Sequence, residues 1–323
     1  MKPLNIFYQE PEYDRWFKYD RYPRKLIRHI IRGEQKPGSI MMVALGLIAG
    51  LERLGIPYRF NDFKYIKKNV SEIACIIGKP HLIDKYDWEN PIIFGAGIFS
   101  HPVDYPDLLI KHPNIKKILV PGPWMQKMFA SVYGEKSVLS WPVGIDTYKW
   151  SPKNSVKKND FLVYSKFLWD KEANQSGMLK PILDKLDQKN LKYEVITYGN
   201  YTHESLKECL DRSKAAIFLC EHETQGMAYQ QILSTDLPIM AWDREDYWVD
   251  PNYYPDKVRF TPSSSVPYWD ERCGLKFKGL SDFEHKLSIF LENQDAYAPR
   301  QYILENLTLE ICAKQYVDIV HSL

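Results

Sequence analysis

The sequence predicts an α/β protein of two doubly wound parallel-sheet domains, and three observations lead there. Its 323 residues suffice for two cores at about 150 residues per domain. Short, nearly continuous apolar runs alternate with longer stretches of helical periodicity, as expected where helices cover both faces of a parallel sheet. The alternation falls into two series, separated at 141–160 by a stretch where Pro, Gly, Ser and Lys accumulate and apolar periodicity lapses.

The first series has strands at LNIFY from Leu4, PYRF from Pro57, EIACII from Glu72, PIIF from Pro91 and KKILV from Lys116. The helix IMMVALGLIAGLERLG, from Ile40, carries an apolar face suited to packing on that sheet. The second series has DFLVY from Asp160, KYEVITY from Lys192, AAIFLC from Ala215 and LPIMAW from Leu237, again spaced by amphipathic helical segments. The tail from Leu304 reads as one amphipathic helix. The expected domains are therefore 1–147 and 148–303, with the helix 304–323 free to pack back on the first. The 141–160 stretch reads as a hinge whose closure would exclude water. Sheets of this kind bind ligands beyond the carboxyl ends of their strands, so chemistry is sought in the loops that follow each run.

Composition excludes several classes. The 43 Lys and Arg against 41 Asp and Glu leave a net charge of +2, without the electrostatic footprint of a nucleic-acid binder. Five scattered cysteines, with no C-x-x-C pair, argue against a disulfide framework or zinc finger and for a reducing, cytoplasmic setting. The longest uncharged stretch, Pro37 to Leu51, is 15 residues, short of the roughly 20 that span a bilayer. The start MKPLNIFYQEPEYD turns polar and acidic before any signal-peptide core could form. Gly95-Ala96-Gly97-Ile98-Phe99-Ser100 half-matches a dinucleotide fingerprint, but Ser replaces the third Gly and no acid follows at the required distance. Cys220-Glu221-His222 lacks a second ligand pair at metal-site spacing, so no bound metal is expected.

Two segments carry chemistry. In CEHETQGMAYQQILSTDLPIMAWD, residues 220–243, a buried strand ends at Cys220 and a helix begins near Gly226. Glycine there lets an anion approach free backbone N–H groups at the positive end of a helix, although an ordinary turn also wants a glycine. In DFLVYSKFLWDK, Lys166 follows a strand of the same domain and Lys171 comes five residues on. Two ammonium groups and a helix N-terminus could neutralise a departing diphosphate without a metal ion, whereas a lone lysine is more simply a solvated charge.

These segments resemble those of GT-B glycosyltransferases, similar to family 4 of the retaining enzymes, over about residues 116–318. VGIDTYKWSP, 143–152, is similar to the family's G-V-D-T-x-x-F-x-P, with Trp150 at the aromatic position. YSKFLWDK resembles G-R-x-x-x-x-K, with Lys166 in the arginine's place and Lys171 in the lysine's. HETQGMAYQQILSTDLPIMA resembles E-G-F-G-x-x-x-x-E-A-x-A-x-G-x-P-V-V-A, with Glu223, Gly226, Gln231 and Pro238 at its marked positions.

The resemblance implies two Rossmann-like domains facing a central cleft, and transfer of a hexosyl or pentosyl group from a nucleotide-diphosphate sugar to a glycan or lipid-linked acceptor, with retention and without a metal or cofactor. It assigns the diphosphate to Lys166, Lys171 and the backbone at Thr224, Gln225, Gly226 and Met227, the transferred sugar to Glu223, and the ribose to Gln231. A neutral Gln231 where the family has a carboxylate, and Lys166 without an arginine's bidentate fork, predict weaker donor contacts. In the first domain Gly38 and Ser39 stand where the family carries a phosphate-facing glycine loop. His101, in Ser100-His101-Pro102, stands where it holds a histidine near the sugar, although a lone loop histidine is more simply a surface or satisfied residue. A noncatalytic nucleotide-sugar-binding protein on the same fold is the alternative.

The segment 14–36 carries eight Lys and Arg against three acids, interleaved with Trp16, Phe17, Tyr19 and Tyr22. One reading is peripheral contact with an anionic membrane; the other is a solvated arm packed on its own domain.

Overall fold

The computed structural model describes residues 2–10, 16–20, 22–23, 38–96 and 99–323. Most of the basic segment 14–36, together with Pro37, Gly97 and Ile98, lies outside the described residues. The chain divides into two compact units. The first comprises Met1–Val120, Phe129–Trp141 and Ala313–Leu323, and the second Pro121–Met128 and Pro142–Cys312. The tail expected as a single helix from Leu304 is instead two, Pro299–Asn306 and Leu309–His321, because Leu307 O and Leu309 N bond to Ile145 in an extended bridge and the Thr308 hydroxyl caps the second helix.

The first unit holds a six-stranded parallel sheet, in the order β2-β1-β3-β4-β5-β6. Its strands are β1 (Leu4–Phe7), β2 (Tyr58–Phe60), β3 (Ala74–Ile76), β4 (Ile92–Gly95), β5 (Ile115–Val120) and β6 (Val138–Ser140). The helix Ser39–Arg53 buries Ala44, Leu47 and Leu51, which lie three or four residues apart and so share one face, with Val43 at its edge.

The second unit holds a five-stranded parallel sheet ordered β11-β10-β9-β7-β8. Its strands are β7 (Asn159–Lys166), β8 (Tyr193–Thr197), β9 (Ser213–Cys220), β10 (Ile239–Trp242) and β11 (Gly274–Phe277). Strand alternation sorts its buried residues into two cores. Leu162, Tyr164, Ala216, Phe218, Ile239 and Ala241 face one, with Leu206, Leu210, Ile232 and Leu233 from helices. Phe161, Val163, Ala215, Ile217, Met240 and Trp242 face the other, with Ile182, Leu186, Phe283 and Leu287. Both faces are covered, which is why these strands read as unbroken apolar runs. Truncating fully buried Phe218 to Ala would remove about 3–5 kcal/mol.

The order of strands also locates the crevice. From β7 the chain winds outward to β8, then crosses over to β9 on the other side of β7, so the winding reverses between β7 and β9. The carboxyl ends of those two strands are level, Lys166 lying opposite Cys220, and the ligand crevice of an open α/β sheet forms where the winding reverses.

Candidate active site

The switch point is built by the two loops that leave β7 and β9. The Lys166 ammonium donates to Glu223 Oε1 at 2.6 Å, and both side chains are largely buried. Burial would lower the Lys166 pKa, but the Glu223 carboxylate outweighs it, aided by Cys220, and holds the ammonium charged well above the ordinary lysine range. The same ammonium lies 4.6 Å from the centre of the Tyr198 ring. Glu223 is held in place through its backbone as well: its N–H donates to Ser264 O at 2.9 Å, and its carbonyl accepts from the Trp124 indole at 2.7 Å.

Glu221 organises the loop after β7. Its buried carboxylate accepts from the N–H of Leu168, the N–H of Trp169 and the Asn174 side chain, at 3.0–3.3 Å. Burial pushes its pKa up while the Leu168 and Trp169 amides oppose the rise. That loop leads into Lys171, which is exposed and begins the short helix Lys171–Asn174. The structure thus brings Lys166 and Glu223 into contact, whereas Lys171 stands free of ion pairs with described residues.

Between the two acids sits His222, buried, with neither ring nitrogen hydrogen-bonded. Its ring is surrounded by Trp169 at 4.6 Å, Trp124 at 5.6 Å and Trp248 at 6.1 Å. Burial among indoles, opposed by its own backbone and aided by the charges of Lys166 and Arg244, pushes its pKa down from 6.5 to about 3, so the imidazole is neutral.

Beyond Glu223 the chain turns through Thr224 and Gln225 to Gly226, whose φ of 74° lies in the left-handed region. A Cβ there would also stand 2.0 Å from Cε1 of the Tyr229 ring, so glycine is required twice over. Met227 opens the helix Met227–Ser234, whose first amides have no intrahelical acceptor. Gln225 is buried and bridges to another motif: its Oε1 accepts from Val143 N at 3.1 Å and its Nε2 donates to Val143 O at 3.3 Å. The 143–152 segment is thereby fastened beside the turn; farther along it, Trp150 O accepts from Ser234 Oγ at 2.7 Å. Gln231 is buried on the same helix.

The remaining nominated residues belong to the first unit. Gly38 caps the helix that begins with Ser39, and a Cβ on it would stand 3.1 Å from Glu10 Oε1, in the loop after β1. His101 follows β4, half buried, and its Nδ1 accepts from Val103 N at 3.0 Å, capping a 3-10 turn. Burial lowers its pKa, with Asp104 opposing.

The sequence patterns missed Arg244, and took up Glu221 and the tryptophan-lined His222 only as an incomplete metal cluster. Arg244 lies two residues past β10, packs 5.4 Å from the Trp242 ring and has a buried Nε without a partner. The rule that led to Lys166, a charged residue just beyond a parallel strand, applies equally to Arg244 after LPIMAW. Next to this site, a cavity of about 570 Å³ is lined in part by Trp124, Lys127, Ser263, Ser264, Trp269 and Lys276. Among the described residues no three His, Cys, Asp or Glu side chains gather as a metal site, and no helix is long and apolar enough to cross a membrane.

Among solved structures, the chain is similar to the lipopolysaccharide outer core galactosyltransferase WaaB in its apo form. The TM-score is 0.54 at 12% identity, covering 100% of this chain and 99% of that one. It is similar also to the GtfA/B complex, with a TM-score of 0.51 at 11% identity over 82% of this chain and 62% of that one. Accessory secretory proteins 1, 2 and 3 of Streptococcus pneumoniae match at a TM-score of 0.49 and 13% identity over 80% of this chain; the chain spans only 54% of that structure's length. No family model and no curated protein matches the sequence. The two-sheet α/β architecture is that of GT-B glycosyltransferases.

Proposed function

We propose that this chain is a glycosyltransferase that moves a hexosyl or pentosyl group from a nucleotide-diphosphate sugar to a hydroxyl of a glycan or lipid-linked acceptor, with retention and without a metal. One observation carries the reading. Lys166 and Glu223, 57 residues apart and nominated by separate motifs, meet at 2.6 Å where the winding of the sheet reverses. In transfer, the bond from the anomeric carbon to the diphosphate breaks, a bond to the acceptor oxygen forms, and the acceptor hydroxyl's proton passes to the departing diphosphate. The largest charge developed is on the departing diphosphate, so fixed positive groups aimed there stabilise the transition state most. Lys166, Lys171 and the first amides of the helix Met227–Ser234 take that role, Glu223 holds the sugar, and Gln231 binds the ribose. His101, Gly38 and Ser39 contribute from the first unit. The setting is the cytoplasm, with the segment 14–36 touching an anionic membrane surface.

A second reading is favoured by the same ion pair. With Lys166 and Glu223 neutralising one another, a protein that binds nucleotide sugars without turnover is also consistent. Incubation with UDP-, GDP-, ADP- and TDP-sugars in chelator separates the two. Slow release of nucleoside diphosphate from one donor supports the transferase; binding with no release, with or without acceptor glycans, supports the binding protein; neither binding nor release refutes both.

A further inference from the structure

With Lys166 committed to Glu223 and the Leu168 and Trp169 amides committed to Glu221, much of the positive potential expected at this site is already compensated by the protein's own acids. The guanidinium of Arg244 meets an acid only at longer range, that of Glu221. No described residue forms an ion pair with it, its Nε is buried without a hydrogen-bond partner among the described residues, and its guanidinium carbon lies 5.4 Å from the centre of the Trp242 ring. A buried guanidinium nitrogen with no acceptor is costly and marks a place where a ligand or an ordered water completes the bonding. A second orphan stands nearby: His222, with both nitrogens unpartnered, lies within electrostatic reach of Arg244, as does Glu221.

The topology puts these groups in line. β7, β9 and β10 are successive neighbours, and β9 and β10 run level with Leu219 opposite Trp242, so continuing the register brings Arg244 beside Glu221. Lys166 and Arg244 therefore leave strands two places apart, roughly 10 Å at the spacing of parallel strands, and flank the loop 221–223 from opposite sides. We propose that Arg244 is the guanidinium that grips the donor's diphosphate, from the end of β10. It supplies the planar fork that Lys166 lacks, while the neutral His222 imidazole beside it donates or accepts a hydrogen bond without adding charge. This rests on the nucleotide-sugar reading and names a binding group that no sequence pattern nominated.

The test is calorimetric titration of UDP, GDP, ADP and TDP, in chelator, into the full-length protein and its R244A, R244K, R244Q and K166A/K171A variants, with thermal melting alongside. The nucleotide that the wild type binds should bind R244A and R244Q at least tenfold more weakly. R244K should recover only part of the loss, because an ammonium cannot form two parallel bonds to one phosphate, and inorganic pyrophosphate should displace the nucleotide from the wild type. If R244A fails to fold, R244K and R244Q decide. Unchanged affinity in the arginine variants, with binding lost in K166A/K171A, overturns the role of Arg244 and leaves the nucleotide-sugar reading standing. A lowered melting temperature at full affinity makes the arginine a structural partner of Trp242 and also overturns the proposal. A wild type that binds none of the four nucleotides refutes the underlying reading and this inference with it.

Discussion

Replacing His222 by Phe should flatten the acid side of this protein's stability profile. The imidazole is enclosed by Trp124, Trp169 and Trp248, with Lys166 at the end of β7 and Arg244 after β10 opposing its protonation, and its pKa falls from 6.5 to about 3. Below pH 6.5 the unfolded chain takes up a proton that the folded chain refuses, so the unfolded state binds more protons and stability falls with pH. The contribution is complete above pH 6.5 and is lost as pH falls toward about 3, at a slope of about 1.4 kcal/mol per pH unit. Between pH 6.5 and 4.5 the wild type should therefore lose about 3 kcal/mol relative to His222→Phe. Other groups, including Glu221, are common to both proteins and cancel in the comparison to first order. Urea unfolding at pH 7, 5.5 and 4.5 measures the difference. At pH 7 the variant should be at least as stable, since two unpaired nitrogens leave the interior. Parallel profiles for the two proteins would refute the claim that His222 is buried, neutral and without a partner.

The Lys166–Glu223 pair should behave as a unit. Glu223→Ala leaves a largely buried ammonium alone and should cost about 3–5 kcal/mol, and the coupling in a double-mutant cycle with Lys166→Ala should be on the order of 3 kcal/mol, read by denaturant unfolding; additive losses would contradict the contact. Gly226→Ala should lower the melting temperature by several degrees, because it meets both a left-handed backbone and the Tyr229 ring; a variant that melts with the wild type would show the turn to be built otherwise. Gln225→Leu should cost about 1–3 kcal/mol by stranding the Val143 amide and carbonyl, and limited proteolysis should then cut the 143–152 segment faster.

The fold was legible wherever burial on both faces writes itself into the chain. Nine strands stood out as apolar runs, among them AAIFLC and DFLVY, whose alternate residues enter two different cores. Two strands did not. β6 and β11 lie at sheet edges, three and four residues long and only partly buried, so Val138–Ser140 and Gly274–Phe277 carry too little apolar signal to stand apart from loops. Gly226 was legible because a helix entrance in left-handed geometry restricts the residue type, and Lys166 because it closes an apolar strand. The partnerships were not: that Lys166 pairs with Glu223, that Glu221 ties down the loop after β7, and that Gln225 clamps Val143 all depend on side-chain directions set by strand order, which no local pattern encodes. Arg244 was hidden because a single arginine in a polar loop looks like a surface charge until the strand beneath it is placed next to β9.

A nucleoside diphosphate held at the carboxyl ends of β7 and β9 would be visible in a crystal soaked, in chelator, with the nucleotide that binds best. Phosphate oxygens should lie within hydrogen-bond distance of Lys166 and of the amides that open the helix Met227–Ser234. Density for the nucleotide at any other part of the molecule, with Lys166 still closed on Glu223, would contradict that placement.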